Sequence, residues 1–516
     1  MTRGGDGEAQ EAASGARSNT LRARRLGVDT HQEAVVFMRQ DCHVCRSEGF
    51  SSHARVYLEC GDRSVIATLF QTSSDLLRQG EAGLSDSAWA RLNLAEGDAI
   101  TISHPRPLDS LSYVRGKVYN KNLDDQALAM IMADVTAGRY SDIHLSSFIT
   151  ACSARPLDSA EIVSLTRAMV DVGDRLEWGR DLVVDKHSVG GLPGNRTTPV
   201  IVAIATACGL TMPKTSSRAI TSPAGTADTM ETLAPVNLDV SAMRAVVERE
   251  GGCIVWGGAV RLSPADDILI RVERALDLDS EGQLVASVLS KKIAAGATHV
   301  VLDLPIGPTA KVRNSESARY LSQSLVETAE VFGLKAQVIE TDGTQPVGRG
   351  IGPALEAHDV LAVLQAKPSA PADLRERSLT LAGALLELGG VAPDGGGLAA
   401  ATAVLDNGKA WAKFQRICDA QGGMRQPPVA RHRHPISANR SGPVYAIDNR
   451  RLARVAKLAG APDDKAAGIE LHVRLGDEVT TGQPLFTIHA ESPGELEYAL
   501  EFANANGDIL DVAPHE

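Results

Sequence analysis

The sequence predicts an α/β protein whose catalytic part contains a mostly parallel sheet, and three observations support this prediction. Short apolar runs of strand length recur between residues 178 and 430, at 182–184, 210–213, 252–256, 299–304 and 336–340. The segments between these runs are long enough for crossover helices, and two of the runs lead into loops rich in hydroxyl residues and glycine. Alternating strands and helices form parallel sheets covered on both faces, and such sheets bind ligands at the carboxyl ends of their strands.

The composition predicts a soluble, multidomain protein. A chain of 516 residues is too long for one ordinary core, and its 43% hydrophobic and 22% charged residues are typical of globular proteins. The net charge of −12 provides no overall basic field for nucleic acid. The apolar stretches are too short for a membrane span, no signal-peptide pattern is present, and seven cysteines in a long chain do not indicate a disulfide framework. We therefore expect a cytoplasmic protein without nucleic-acid or membrane partners.

The pattern along the chain predicts five segments. We expect a disordered tail over 1–19, a small β-rich domain over 20–107, a helical domain over 108–177, the α/β domain over 178–430 and an α+β C-terminal domain over 431–516. The tail is polar and rich in small residues, and alternating runs with Gly-Asp turns mark the β-rich segment.

The β-rich segment contains a Cys-x-x-Cys pair. Cys42 and Cys45 are followed at some distance by His53 and Cys60. A single such pair is half of a zinc site, and no second pair follows at finger or ribbon spacing. We therefore interpret these residues as ordinary loop cysteines and predict no metal.

The helical segment contains recognisable helix ends. A helix is predicted from Asp124 to Ala137 with Gly138 as its C-cap. Asp158 stands three residues before Glu161, the spacing of a capping box.

The α/β segment begins with a candidate anion-binding loop. The run at 182–184 is followed by Asp185-Lys186-His187-Ser188, three glycines and an apolar helix segment. A strand, a glycine-rich turn and a helix N-terminus together bring several N–H groups to one anion. Lys186 adds a positive charge, and Ser188, Thr197 and Thr198 add hydroxyl groups.

A second loop of this kind follows the run at 210–213. It extends from Ser216 to Thr226 and contains hydroxyl residues, one arginine and flexible backbone before another helix. Neither loop has the spacing of a Walker A motif or a dinucleotide fingerprint, so a generic nucleotide site is not indicated. The two loops predict one site for an oxyanion and a polar small molecule.

These loops also carry a family resemblance. Lys-His-Ser-Val-Gly-Gly at 186–191 resembles the phosphate-binding signature of the pyrimidine-nucleoside phosphorylases. The full sequences of the two loops are more similar to the branch that contains AMP phosphorylase and the type 2 thymidine phosphorylases. Similar motifs recur at 270–273, 281–292, 307–312 and 342–348, so the resemblance covers roughly residues 20–510. It implies a helical domain that closes on the catalytic domain, a homodimer or larger homo-oligomer, and no metal or organic cofactor.

The resemblance implies a role for specific residues. For inorganic phosphate, the co-substrate, it implies Lys186, Ser188, Thr198, Ser216 and Thr226. For the base, the pyrimidine enzymes imply His187, Arg271, Ser287 and Lys291, with Arg218 as a further candidate. The AMP-phosphorylase branch implies a substrate set and a proton donor: Gly191, Ser217, Arg218, Ala219, Ile220, Thr221, Ser222, Thr226, Ser287 and Lys311, with Asp279 as the donor.

Two alternatives stay open at this stage. Asp279 could donate the proton, cap the helix near Gly282, or do both, and His187 is the other candidate acid because its ordinary pKa is more suitable. The substrate could be thymidine or another pyrimidine nucleoside, which phosphorolysis converts to thymine and 2-deoxyribose 1-phosphate. It could instead be a nucleoside monophosphate such as AMP, CMP or UMP, which gives free base and ribose 1,5-bisphosphate.

Other classes of function fit the sequence less well. Transfer of a phosphoryl group from a nucleoside triphosphate would need a Walker A lysine and a carboxylate pair placed for Mg²⁺, and the sequence has neither. A binding protein without catalysis would not need the charged residues Lys186, Arg218 and Asp279.

Overall fold

The computed structural model describes residues 19–31, 33–219, 222–278 and 280–513, which belong to two compact units. One unit comprises the residues up to 115 together with 133–147, and the other comprises 116–132 together with the residues from 148 onward. The five predicted segment boundaries stay predictions.

The N-terminal unit contains a closed β-barrel. Its strands are β1 (Thr20–Arg25), β2 (Val35–Arg39), β3 (Arg55–Cys60), β4 (Arg63–Thr72), β5 (Glu81–Leu84) and β6 (Ala99–Ser103), in the order β1-β5-β2-β4-β3-β6. Pairing of β1 with β6 closes the barrel. Side chains that alternate along the strands fill its interior, including Val36, Leu58 and Ile102. The β-rich N-terminal architecture is confirmed.

Two short helices pack on this barrel: α1 (His43–Glu48) and α2 (Asp86–Leu92). Cys42 caps α1 and Cys45 lies within it, and both side chains are buried in the barrel core. The interpretation of these residues as loop cysteines is therefore wrong, because they lie at the start of α1 and pack among the apolar side chains of the core.

The helical segment contains α3 (Ser110–Val118), α4 (Asp125–Thr136), α5 (Asp142–Ala154) and α6 (Ser159–Asp171). The predicted capping box is present, since Asp158 accepts the backbone N–H of Glu161 and Glu161 accepts that of Asp158. The carboxylate of Glu161 also pairs with the Lys117 ammonium at 2.7 Å, and both side chains are buried. One acidic residue thus caps α6 and holds the end of α3.

The α/β region contains five strands of the predicted sheet. These are β7 (Val184–Ser188), β8 (Met212–Ser216), β9 (Gly252–Trp256), β10 (His299–Ile306) and β11 (Lys335–Asp342). β10 pairs in parallel with β7 and β11, and β8 pairs in parallel with β9. The backbone N–H of Val184 donates to the carbonyl of Thr211, which connects β7 to the residues before β8. The mostly parallel sheet is confirmed.

The limits predicted for two strands need correction. β7 and β8 begin two residues later than predicted and continue through Lys186 and Lys214 to Ser188 and Ser216. The polar residues that suggested loops lie in the strands, because carboxylates on other elements compensate the lysine charges.

Helices cover this region: α7 (Thr198–Ala207), α8 (Thr226–Glu231), α9 (Val240–Glu250), α10 (Pro264–Leu276), α11 (Glu281–Ala294), α12 (Ser315–Val331), α13 (Pro353–Leu364), α14 (Ala372–Leu388), α15 (Gly397–Asp406) and α16 (Lys409–Ala420). A 3₁₀ turn spans Gly257–Val260. The apolar residues 200–205 of α7 are fully buried, so this helix lies in the centre of the core.

The C-terminal region is α+β, as predicted. Its elements are β12 (Gly350–Ile351), β13 (His432–Ser437), β14 (Gly442–Ile447), α17 (Asn449–Leu458), β15 (Gly468–Leu471), β16 (Glu478–Val479), β17 (Pro484–Ala490), α18 (Pro493–Ala505) and β18 (Leu510–Val512). Its sheets follow the orders β12-β15-β17-β13 and β16-β14-β18, with antiparallel pairs. None of the helices in the described ranges has both the length and the apolar content needed to cross a membrane.

The buried Lys117–Glu161 pair generates a stability prediction. Lys117→Ala should lower the free energy of unfolding by about 3–5 kcal/mol, because it leaves a buried carboxylate without its counter-charge. Arg167→Ala is the matched control: its pair with Asp125 is largely exposed and should contribute about 0–1 kcal/mol. Urea unfolding of both variants and the parent tests this expectation. Equal effects of the two substitutions would contradict it.

Candidate functional site

The candidate site is built on the carboxyl end of β7. Successive side chains of a strand point to opposite faces, so Lys186 and Ser188 occupy one face while Asp185 and His187 occupy the other. The contacts follow this division. Lys186 contacts the start of α7, and Asp185 contacts lysines on β8 and α11.

On the first face, Lys186 lies in a polar cluster that we call the Lys186 cluster: Lys186, Ser188, Asn195, Thr197 and Asp303. The Lys186 side chain is only 1% exposed, and its Nζ donates to Thr197 Oγ1 at 2.7 Å and to Ser188 Oγ. Asp303 Oδ2 lies 3.7 Å from the Nζ and accepts hydrogen bonds from Ser188 Oγ at 2.6 Å and Asn195 Nδ2 at 3.0 Å. The cluster therefore combines a buried ammonium group with hydroxyl and amide groups.

Burial lowers the pKa of Lys186 to about 8, with Asp303 acting in the opposite direction. The lysine is therefore mostly protonated at neutral pH. Burial also acts to raise the pKa of Asp303, but Lys186 and the hydrogen bonds hold it below its ordinary value. The site thus contains a cation that can bind an anion and a carboxylate that keeps this cation charged.

The start of α7 contributes further groups. Thr197 is the N-cap residue, and its hydroxyl accepts from Lys186 rather than from a backbone N–H of the helix. Thr198 begins the helix and is buried. The first N–H groups of a helix have no partner within the helix, so Thr198 and Val200 present donors suited to an anion, whereas Pro199 has no N–H.

The second loop is tied to the first by Arg196. Its guanidinium donates to Thr226 Oγ1 at 2.8 Å and to the carbonyl of Ala224 at 2.7 Å, while its Nε donates to Glu356 at 2.6 Å. Glu356 is almost completely buried and fixes the guanidinium. Thr226, predicted to bind phosphate, is therefore held at the loop that follows β7.

Asp228 shapes the remainder of the second loop. Its carboxylate accepts the backbone N–H groups of Ala219 and Gly225 and pairs with the Arg218 guanidinium at 3.0 Å. Arg218 also pairs with Glu231 and lies over the Trp256 ring. A Cβ at Gly225 would lie 2.4 Å from the carbonyl carbon of Arg218, so this tight packing requires glycine.

Two buried polar atoms at the strand ends are available to a ligand. Across the residues that the structure describes, Ser216 Oγ and Asn195 Oδ1 have no hydrogen-bond partner. Buried polar atoms without partners are costly, and a bound ligand or water would relieve that cost.

The second face of β7 is rich in positive charge. Asp185 lies between Lys214 at 3.0 Å and Lys292 at 2.7 Å, and all three side chains are buried. Burial and the adjacent Lys214 lower the pKa of Lys292. One carboxylate faces two lysines, and because the pKa of Lys292 falls to about 7, the group carries an excess positive charge only when Lys292 is protonated.

This charge changes the expectation for His187. Burial and the nearby lysines hold the pKa of His187 well below its ordinary value. The ordinary pKa that suggested His187 as an acid therefore does not apply in the folded chain. A neutral imidazole can still donate one hydrogen bond through its N–H group.

The predicted base-binding residues Arg271, Ser287 and Lys291 lie on α10 and α11. Ser287 and Lys291 are four residues apart and share one face of α11. Lys291 pairs with Asp266 of α10 at 2.5 Å. Since Lys292 of the same helix reaches Asp185, the charge pairs connect α11 to both α10 and the strand that carries His187.

The predicted Lys311 lies beside the glycine turn after β7. Gly190 has a φ of +88°, and a Cβ there would lie 2.8 Å from the Lys311 Cβ. Lys311 and Gly191 are exposed at this edge. In the second loop, Ser217 is exposed and Ser222 donates to the carbonyl of Ala224, whereas Ile220, Thr221 and Asp279 lie outside the described residues.

Comparisons with known proteins agree with this architecture. Family models match the chain in three segments: "Glycosyl transferase family, helical bundle domain" at 111–173, "Glycosyl transferase family, a/b domain" at 180–411 and "Pyrimidine nucleoside phosphorylase C-terminal domain" at 443–510. A protein of Polaromonas sp. strain JS666 named "Putative thymidine phosphorylase" is 64% identical over 95% of this chain and 96% of its own length. A protein of that name from Legionella pneumophila strain Paris is 60% identical over 96% of this chain and 95% of its own length.

The chain belongs to the thymidine/pyrimidine nucleoside phosphorylase family. The resemblance seen in the sequence is thereby confirmed. Among solved structures, anthranilate phosphoribosyltransferase from Thermus thermophilus aligns with a TM-score of 0.50 at 20% identity, over 60% of this chain and 98% of that one. This similarity concerns the fold alone.

Sequence reasoning gave no role to several buried polar residues at this phosphorylase-family site: Asp185, Asn195, Arg196, Lys214, Lys292 and Asp303. The signal for Asp303 was present, since it interrupts the apolar strand of β10 and buried aspartates are rarely unpaired. No group of metal-binding side chains suited to an ion occurs among the described residues, and the prediction of no metal stays a prediction.

The Lys186 cluster generates a pH prediction. Phosphate affinity should fall as the pH rises through about 8, because Lys186 then loses its proton. Asp303→Asn should move this fall to lower pH, since the carboxylate raises the pKa of Lys186. Calorimetric titration with phosphate over a pH series measures both. Asp342→Asn, whose carboxylate accepts hydrogen bonds from Thr344 instead, is the control. An unchanged midpoint in Asp303→Asn would refute the assigned coupling.

Proposed function

We propose that this chain is a pentosyltransferase that catalyses the phosphorolysis of thymidine or related pyrimidine nucleosides. The products are the free base and a pentose 1-phosphate, thymine and 2-deoxyribose 1-phosphate in the case of thymidine. The observation that carries this proposal is the buried, hydroxyl-surrounded Lys186 at the carboxyl end of β7, within the region that matches the glycosyl transferase α/β domain. The names of the close relatives support the same reaction.

In this proposal, the two loops hold phosphate. Lys186 provides the charge, and the hydroxyl groups of Ser188, Thr198, Ser216 and Thr226 provide donors. The free Oγ of Ser216 and the α7 N-terminus support this arrangement. Holding phosphate next to C1 of the sugar makes its attack on that carbon effectively intramolecular.

The second face of β7 is proposed to hold the base. As the bond from C1 to the base breaks, the sugar gains positive charge and the base gains negative charge. Lys291 remains protonated because Asp266 and Asp267 hold its pKa above the ordinary value despite burial. Lys291, together with Arg271 and Ser287, can therefore stabilise the leaving base, since charges fixed in a buried site need little reorganisation during the reaction.

The neutral His187 is proposed to donate a hydrogen bond to the base rather than to act as an imidazolium acid. Asp279 remains the proposed proton donor. For the intact protein we also propose a cytoplasmic homodimer or larger homo-oligomer without a metal or organic cofactor, because phosphate itself is the nucleophile.

One observation favours a second candidate substrate. Lys311 is exposed beside the Gly190 turn, where it could bind a 5′-phosphate. A nucleoside monophosphate would then be converted to free base and ribose 1,5-bisphosphate.

Phosphate-dependent base release from thymidine, uridine, AMP, CMP and UMP tests the proposal. Lys186→Ala should lower kcat/KM for every accepted substrate by about a hundredfold to a thousandfold, because a buried charge at the reacting group is lost. Lys311→Ala should lower kcat/KM only for the nucleoside monophosphates. Lys335→Ala, at the amino end of β11, is the control for removing an exposed lysine.

The outcomes separate the two substrate classes. Release from nucleosides with insensitivity to Lys311→Ala supports the nucleoside reaction. Release from monophosphates that Lys311→Ala weakens supports the nucleotide reaction. Base release that does not require phosphate, or that survives Lys186→Ala unchanged, would refute the proposed function.

A further inference from the structure

The N-terminal barrel contains a pair of thiols that the proposed phosphorolysis does not use. Cys42 immediately precedes α1, and Cys45 is the third residue of that helix. Cys42 Sγ accepts the backbone N–H of Cys45 at 3.2 Å, so its side chain points toward Cys45. Both cysteines are reduced in this structure and nearly fully buried.

The geometry of the pair suits an intramolecular disulfide. Cys42 occupies the N-cap position with an extended backbone, and Cys45 lies three residues later in the first turn of α1. A disulfide needs a Cβ separation of about 3.5–4.5 Å, so its two cysteines must be direct neighbours in the fold. The Cys42 sulfur already lies against the backbone of Cys45, which places it beside the residue with which it would pair.

The two sulfur atoms differ in their surroundings. Interaction with the Cys45 thiol, together with the backbone N–H that Cys45 donates, lowers the pKa of the Cys42 thiol despite its burial. Interaction with Cys42, together with burial, raises the pKa of the Cys45 thiol. Cys42 is therefore the more nucleophilic sulfur, and Cys45 is the one that keeps its proton.

We propose that Cys42 and Cys45 form a reversible dithiol–disulfide pair that is oxidised by hydroperoxides. The Cys42 thiolate attacks an oxygen of hydrogen peroxide, the O–O bond breaks, and hydroxide leaves to take up a proton as water. The Cys45 sulfur then attacks the Cys42 sulfenic acid, the S–O bond breaks, and a second water leaves with the Cys45 proton. The dithiol loses two electrons, and the peroxide is reduced to two molecules of water.

Because the two thiols are buried, only a small oxidant can reach them. A hydroperoxide is close to water in size, whereas a bulky disulfide must contact the attacked sulfur directly. Cys60, at the end of β3, is an internal comparison because it is the more exposed thiol of the same unit, and burial raises its pKa. Exposure alone would favour oxidation of Cys60, whereas the proposed pairing favours Cys42 and Cys45.

Mass spectrometry of the full-length protein tests the pair. The protein is treated with hydrogen peroxide, free thiols are alkylated after denaturation, and the peptides are mapped with and without dithiothreitol. The expected result is the loss of two hydrogens within the peptide that contains Cys42 and Cys45, with neither residue alkylated, and full recovery after reduction.

Variants define the specificity. Cys42→Ser and Cys45→Ser should each abolish the product, whereas Cys60→Ser should retain it. The measurement on the parent protein decides the proposal even if a variant does not fold. Full alkylation of Cys42 and Cys45 at a peroxide concentration that oxidises Cys60 would overturn it, as would a disulfide that joins either of them to Cys60.

Discussion

The candidate site depends on charge compensation inside the parallel strands. Asp185 and Asp303 lie on β7 and β10, and each is paired with lysine side chains in the interior. Removing ions from water costs several kcal/mol for each ion, so such lysines persist only where a carboxylate and hydrogen bonds compensate them. Lys186 and its partner are close to neutral as a pair. The group around Asp185 has one carboxylate for two lysines. The two faces of β7 therefore differ. The face with Lys186 suits an anion, and the face with Asp185 suits a base that gains negative charge as its bond to the sugar breaks.

Arg196 joins the two loops that form the anion face. Its guanidinium contacts the second loop at Thr226 and Ala224, and Glu356 of α13 fixes its direction. Thr229 donates to the same carboxylate of Glu356, which joins α8 to this contact. Several hydroxyl and amide groups can act on one phosphate only if their backbones are fixed, and this buried ion pair provides that constraint.

The sequence predicts the architecture better than the limits of its elements. The five parallel strands, the capping box at Asp158 and the α+β C-terminus follow from local patterns that adjacent residues determine. The extents of β7 and β8 do not, because Lys186 and Ser216 belong to predicted loops until the contacts of the strand ends are known. Asp303 lies 115 residues from its partner Ser188, and Lys292 lies 107 residues from Asp185. Pairs so far apart in the sequence are brought together by the fold, so no local sequence pattern reveals them.

The same reasoning limits what residue type alone can say about catalysis. Histidine suggests an acid because its ordinary pKa is near neutral, but burial and four nearby lysines favour the uncharged ring of His187. The lysines that disfavour the imidazolium lie on the face proposed to hold the base, so the loss of one proton donor would be offset there by electrostatic stabilisation. A site of this kind does not need a histidine that changes charge. In the proposed reaction, Lys291 of α11 provides positive charge before the bond breaks, because Asp266 and Asp267 hold its pKa above the ordinary value.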